Sequence, residues 1–145
     1  MGMAVLRRRA ALGLLAAFAA VLLMLSGCGS GKAEYTQIDQ DEAMRMMQDE
    51  SDYLIVDVRR PDEFAEKHIK GAINVPNETI EDEAPDALPD KDRLLLIYCR
   101  SGNRSKEASQ KLADMGYTNV YEFGGINTWE GETETGDQST DGQSE

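Results

Sequence analysis

The chain has 145 residues, enough for one domain with extensions at either end. Its formal net charge is −12 and its pI about 4.5, which excludes nucleic acid as a partner and makes an anionic lipid surface repel it. No spacing of Cys, His or carboxylates suggests a metal site, and no cofactor is expected.

Residues 1–27 read as a leader outside the fold. Arg7, Arg8 and Arg9 form a basic head, and Ala10 to Leu25 is an uncharged apolar run, short for a membrane span. Leu25–Ser26–Gly27–Cys28 follows and resembles the lipobox of bacterial lipoprotein precursors. That resemblance implies cleavage before Cys28, a lipidated Cys28 thiol and an extracytoplasmic protein anchored to the cell membrane. An ordinary secretory peptide and an uncleaved anchor are the alternatives. Loss of the three leader arginines takes the net charge from −12 to −15, so attachment has to come from the lipid.

Residues 28–34 form a tether of small and polar residues. The globular part is expected over residues 35–130, where strands and helices alternate. Tyr35–Ile38 reads as a short strand. Asp39 can cap a helix over Gln40–Gln48 that places Ala43, Met46 and Met47 on one face. Tyr53–Val58 is a strand apolar on both faces, and Pro61 opens the next helix, with Phe64 and Ala65 as its apolar side. Ile73–Val75 is a third strand. Asn77–Asp92 is acidic and holds one short helix. Arg93–Tyr98 is the fourth strand, and Arg104–Met115 a helix that ends at Gly116. Val120–Phe123 is the last strand. Residues 131–145 contain no apolar side chain and are expected to form a disordered acidic tail. The alternation predicts an α/β fold, a parallel five-stranded sheet with helices on both faces and ligand chemistry at the carboxyl ends of its strands.

Cys99 stands at such an end. A polar turn, Arg100–Ser101–Gly102–Asn103, joins its strand to the helix that begins near Arg104 and Ser105. Backbone N–H groups of such a turn, the positive end of the helix and the two arginines all favour a thiolate, which is the nucleophilic form. The same loop, Arg100, Ser101, Gly102, Asn103, Arg104 and Ser105, offers a concave site for an anion. A buried structural cysteine is the bland alternative, and the polar turn formers beside Cys99 argue against it.

Four blocks in order resemble a single-domain rhodanese, the sulfurtransferase fold. They are Asp57–Phe64, His68–Pro76, Cys99–Ser105, and Gly124–Gly125 with Trp129. The resemblance implies that Cys99 accepts a sulfane sulfur as a persulfide. It implies that the loop stabilises that sulfur and an anionic donor of the thiosulfate type, and that cyanide or a thiol is the acceptor. A sulfur-acceptor protein is a further partner of this kind. Asp57, Arg59 and His68 are expected to be structural residues near the site, with attraction of the anion by Arg59 or Arg60 the alternative. Two other readings stay open: a sulfane-sulfur carrier or docking module with little turnover, and a phosphatase or arsenate reductase on the same fold. Cysteine-dependent phosphatases place one residue more between nucleophile and arginine than the four that separate Cys99 from Arg104. A smaller ring suits a sulfur atom better than a tetrahedral phosphate.

Overall fold

The structure is a computed structural model and describes residues 33–137. The leader, Cys28 with most of its tether, and residues 138–145 lie outside the described residues. Among the described residues no helix is long and apolar enough to cross a membrane.

Five parallel strands form the main sheet: β1 (Thr36–Gln37), β2 (Tyr53–Asp57), β4 (Ile73–Asn74), β5 (Leu94–Cys99) and β6 (Val120–Gly125). Their spatial order is β1-β6-β5-β2-β4, so β5, which carries Cys99, is central. The sequence of β5 explains that position. Leu95, Leu96, Ile97 and Tyr98 are all fully buried, and only an interior strand covers both faces. The pleat then sorts them. Leu95, Ile97 and Cys99 join the core formed with Ala108 and Leu112 of α3 (Asn103–Asp114). Leu96 and Tyr98 join the opposite core with Ala43 of α1 (Gln40–Asp49) and Phe64 of α2 (Pro61–Glu66). Helices therefore cover both faces, and Cys99 faces the α3 side.

Local signals account for the helix ends. Asp39 Oδ1 accepts the Glu42 N–H at 2.8 Å and caps α1, while Pro61 opens α2. α3 has no side-chain cap at its N-terminus. Gly102 holds the cap position at φ +108°, a conformation that L side chains rarely adopt.

Residues 131–137 depart from the expected disordered tail. Thr133–Glu134 (β7) pairs antiparallel with His68–Ile69 (β3), a two-residue strand absent from the sequence reading. Main-chain pairing needs no apolar side chain, and polar contacts reinforce it. Gly71 N–H donates to Glu134 Oε1 at 2.8 Å, Lys70 Nζ lies 2.8 Å from Glu132, and Gly136 N–H donates to Ala65 O at 2.9 Å.

Candidate active site

Cys99 is the last residue of β5 and is only 1% exposed. The register between β5 and β6 is irregular between Ile97 and Cys99, and Cys99 lies opposite Gly125. Such irregularities re-aim side chains at strand ends. Gly125 is required by space. A Cβ added there would overlap the Arg100 carbonyl and stand 2.5 Å from Ser101 N. The end of β6 thus packs directly under the cysteine loop, and Asn127 N–H donates to Arg100 O at 3.3 Å.

The thiol meets backbone donors. Gly102 N–H points at Cys99 Sγ with N···S 3.0 Å. Burial pushes the thiol up. The Ser105 hydroxyl and the backbone N–H groups of Ser105, Gly102 and Ser101 pull it down, and together they hold it below its ordinary value. The uncapped start of α3 explains these donors, since no side chain consumes the first N–H groups of the helix.

The two arginines of the loop differ. Arg104 grips Glu63 of α2 with two charge-assisted hydrogen bonds, of 2.7 and 3.0 Å. Arg104, helped by the Arg60 N–H, holds the Glu63 carboxyl at about 2 against burial. Arg100 is exposed, and no carboxylate lies within 4 Å of it among the described residues. Above the loop opens a cleft of about 850 Å³ lined by Arg59, Arg60, Glu63, Glu66, Lys67, Arg100, Arg104, Ile126 and Asn127. Its five cations outnumber its two carboxylates, although the protein as a whole is strongly acidic. With a screening length of about 8 Å in physiological salt, this local excess governs what an anion meets.

The family model of the rhodanese-like domain matches residues 39–132. The chain belongs to the rhodanese-like domain family. It is 38% identical over 71 residues to thiosulfate sulfurtransferase PspE of Escherichia coli, covering 49% of this chain and 68% of that protein. It is 33% identical over 104 residues to thiosulfate sulfurtransferase GlpE of Coxiella burnetii, covering 71% and 94%. Among solved structures, a rhodanese with anions from E. coli superposes with a TM-score of 0.53 at 33% identity, covering 58% of this chain and 99% of that one.

In this rhodanese-like domain the remaining sequence candidates take fixed places. Asp57 and Arg59 form a buried ion pair of 2.7 Å, and Arg59 Nη2 also donates to Lys67 O at 2.6 Å. Arg59 therefore reaches the cleft wall with its charge already matched. His68 stacks on Phe64 at 3.7 Å and its Nδ1 donates to Phe64 O, which sets it on the α2–β3 junction. Ser101 belongs to the turn, Asn103 opens α3, and Ser105 Oγ donates to Glu122 Oε1 at 2.6 Å. Glu63, Lys67, Asn127 and Glu122 escaped the sequence reading. Glu63 carried one usable signal, its place in the first turn of a helix opened by proline. Glu122 lies 17 residues from the hydroxyl it binds and carried none.

Proposed function

We propose that the protein is a sulfurtransferase that works through a Cys99 persulfide. The observation that carries this reading is the Cys99 sulfur met by backbone N–H groups of an uncapped helix start, in a loop whose Arg100 and Arg104 line a cationic cleft. The Cys99 thiolate attacks the outer sulfur of a thiosulfate-type donor. The donor S–S bond breaks with its electron pair leaving on sulfite, and Cys99 keeps the transferred sulfur as a persulfide anion. Cyanide or a thiolate then attacks that outer sulfur, which leaves as thiocyanate or a new persulfide and returns Cys99 as thiolate. The first step brings a monoanion against a dianion, so both the loop donors and the excess of cations in the cleft lower its barrier.

Phosphate chemistry is disfavoured by Arg104, whose guanidinium is already engaged in the two bonds to Glu63. The leader and Cys28 support a lipid-anchored, extracytoplasmic location for this activity, checked by mass spectrometry of the mature N-terminus. An unmodified Cys28 would refute the anchor.

The deciding experiment is the intact mass of the purified protein after exposure to thiosulfate. A gain of one sulfur, removed by cyanide and absent in Cys99→Ser, is expected. Stoichiometric persulfide without turnover would reassign the protein as a carrier, and no mass gain would overturn the reading.

A further inference from the structure

Glu122 is a buried carboxylate that the reaction above does not use. It is 2% exposed on β6. The groups on its oxygens are all neutral: the Ser105 hydroxyl at 2.6 Å and the Gly124 N–H at 2.8 Å on Oε1, and the Gln37 amide at 3.2 Å on Oε2. No lysine, arginine or histidine lies within ion-pair distance of it among the described residues. A buried carboxylate without a cation is costly, and its position shows what it does in return. Through Ser105 it holds the first turn of α3, and through Gly124 it holds the turn of β6 beneath the loop. Its Oε1 lies 3.8 Å from where a Gly102 Cβ would stand.

The Ser105 hydroxyl has one proton. Its oxygen lies 2.6 Å from Glu122 Oε1, 3.0 Å from Gly102 O and 3.4 Å from Gly124 O, and it also stands beside Cys99 Sγ. The shortest of these contacts is to a carboxylate, so Glu122 competes with the sulfur for the Ser105 hydrogen bond. The backbone N–H groups of Ser105, Gly102 and Ser101 are the donors it leaves to the sulfur.

We propose that Glu122 is a positioning residue for Cys99: it competes with the thiolate for the hydrogen bond of the Ser105 hydroxyl, so the sulfur anion is held chiefly by backbone donors and stays nucleophilic. The inference rests on the reading of Cys99 as the sulfur carrier. A thiolate held more tightly is more abundant but attacks more slowly, and Glu122 sets that balance. The charged groups around the thiol are Glu122 from β6, Arg104 from α3 with its partner Glu63 from α2, Arg100 from the loop, and Lys106 from α3, whose Cε lies 4.0 Å from where a Gly102 Cβ would stand. The charge of Glu122 is also felt at Tyr35, where burial first and Glu122 second push the phenol up.

The test is the pH dependence of alkylation, followed on the Cys99 peptide of the full chain by mass spectrometry. Glu122→Gln keeps an oxygen for Ser105 and Gly124 and removes the charge. Its midpoint is expected to fall by about one unit. Its plateau rate at high pH is expected to fall about threefold, as nucleophilicity drops with basicity. Ser105→Ala alone is expected to move the midpoint by less than about 0.3 unit, but to raise it by more than that in the Glu122→Gln background. A midpoint in Glu122→Gln that stays or rises overturns the proposal. So does a Ser105→Ala midpoint that rises by more than about 0.3 unit in the otherwise unaltered chain, and this variant decides the matter if Glu122→Gln does not fold. Persulfide formation by the unaltered chain is measured alongside. Its absence would overturn the sulfurtransferase reading, whereas the alkylation midpoints report on Glu122 in either case.

Discussion

The two walls of the cleft carry their charge differently. On the β5–α3 side the sulfur is met by backbone N–H groups, fixed partial charges at a helix start that no side chain caps. The side-chain cations are full charges, and most are already matched on or by the α2 side: Arg59 by Asp57, Arg60 by Asp62, and Arg104 of α3 by Glu63 of α2, each at 2.7 Å. In an acidic protein this difference is instructive. Side-chain cations attract the carboxylates that surround them, so a lasting anion site is built from main chain and from the few cations left unpaired. The effect of a substitution should then depend on which wall it touches.

The largest effects belong to the loop wall. Cys99→Ser should abolish persulfide formation, read by intact mass, while costing about 1 kcal/mol or less in denaturant unfolding, because the serine oxygen still accepts the Gly102 N–H. Gly125→Ala comes next. Its Cβ would overlap the Arg100 carbonyl, so the loop has to move away from β6. Expected are a loss of more than about tenfold in sulfur transfer and a destabilisation of about 1–3 kcal/mol. Near-normal transfer by Gly125→Ala would show that the loop donors tolerate displacement, and the contrast between the walls would lose its basis.

The arginines compare the walls directly. Arg100→Ala removes an unpaired cation and should raise KM for an anionic donor about fivefold, with the effect shrinking in high salt. Arg104→Ala alone leaves Glu63 facing the cleft without its cation and should raise KM too. The double variant Glu63→Gln/Arg104→Gln removes a matched pair and should return KM to within about twofold of the starting protein. A double variant as poor as Arg104→Ala would mean that the Arg104 charge reaches the donor despite Glu63.

Much of this was legible in the sequence, for physical reasons that differ by element. β5 announces itself because a central strand needs apolar residues on both faces. α1 announces itself through Asp39, because a cap acts within one turn. The turn at Cys99 was legible because strand end, turn and helix start are contiguous in the chain. Pairings across the fold were not legible. Glu63 meets Arg104 over a separation of 41 residues, and its place in the first turn of α2 does not reveal that partner. The partner of Arg104 was therefore hidden, although its place in the loop was not. β7 was missed because its ladder uses backbone groups, which the pattern of polar side chains around it conceals.

The Glu63–Arg104 pair also has a signature in acid. Glu63 is held at about 2 in the folded protein against an ordinary value of 4.5. Its contribution to stability is therefore complete above pH 4.5 and is lost as the pH falls toward 2. Both side chains are partly exposed, so the gain is about 1 kcal/mol after solvent screening. Chemical unfolding across that window should show Glu63→Gln losing less stability with falling pH than the unaltered chain, by about that amount. Parallel curves would show that the pair is screened out.

The smallest expected effect lies farthest from the loop, in the strap formed by β7. Glu134 accepts the Gly71 N–H at 2.8 Å and lies 3.3 Å from His68 Nε2, and its side chain is 41% exposed. Glu134→Ala removes one hydrogen bond and one solvent-screened charge contact, a cost of about 0.5–1 kcal/mol. Both losses sit on β3 and the turn after it. Hydrogen exchange should therefore quicken at Gly71 and Lys70 and stay unchanged at Gly102, with persulfide formation unaffected. The strap does touch the α2 wall, because Gly136 N–H binds Ala65 O one residue before Glu66. If Glu134→Ala slowed sulfur transfer, the path would have to run from the strap through α2 to Glu63 and Arg104. Charge on the α2 wall would then reach the sulfur after all, and the independence of the two walls would fail at its weakest contact.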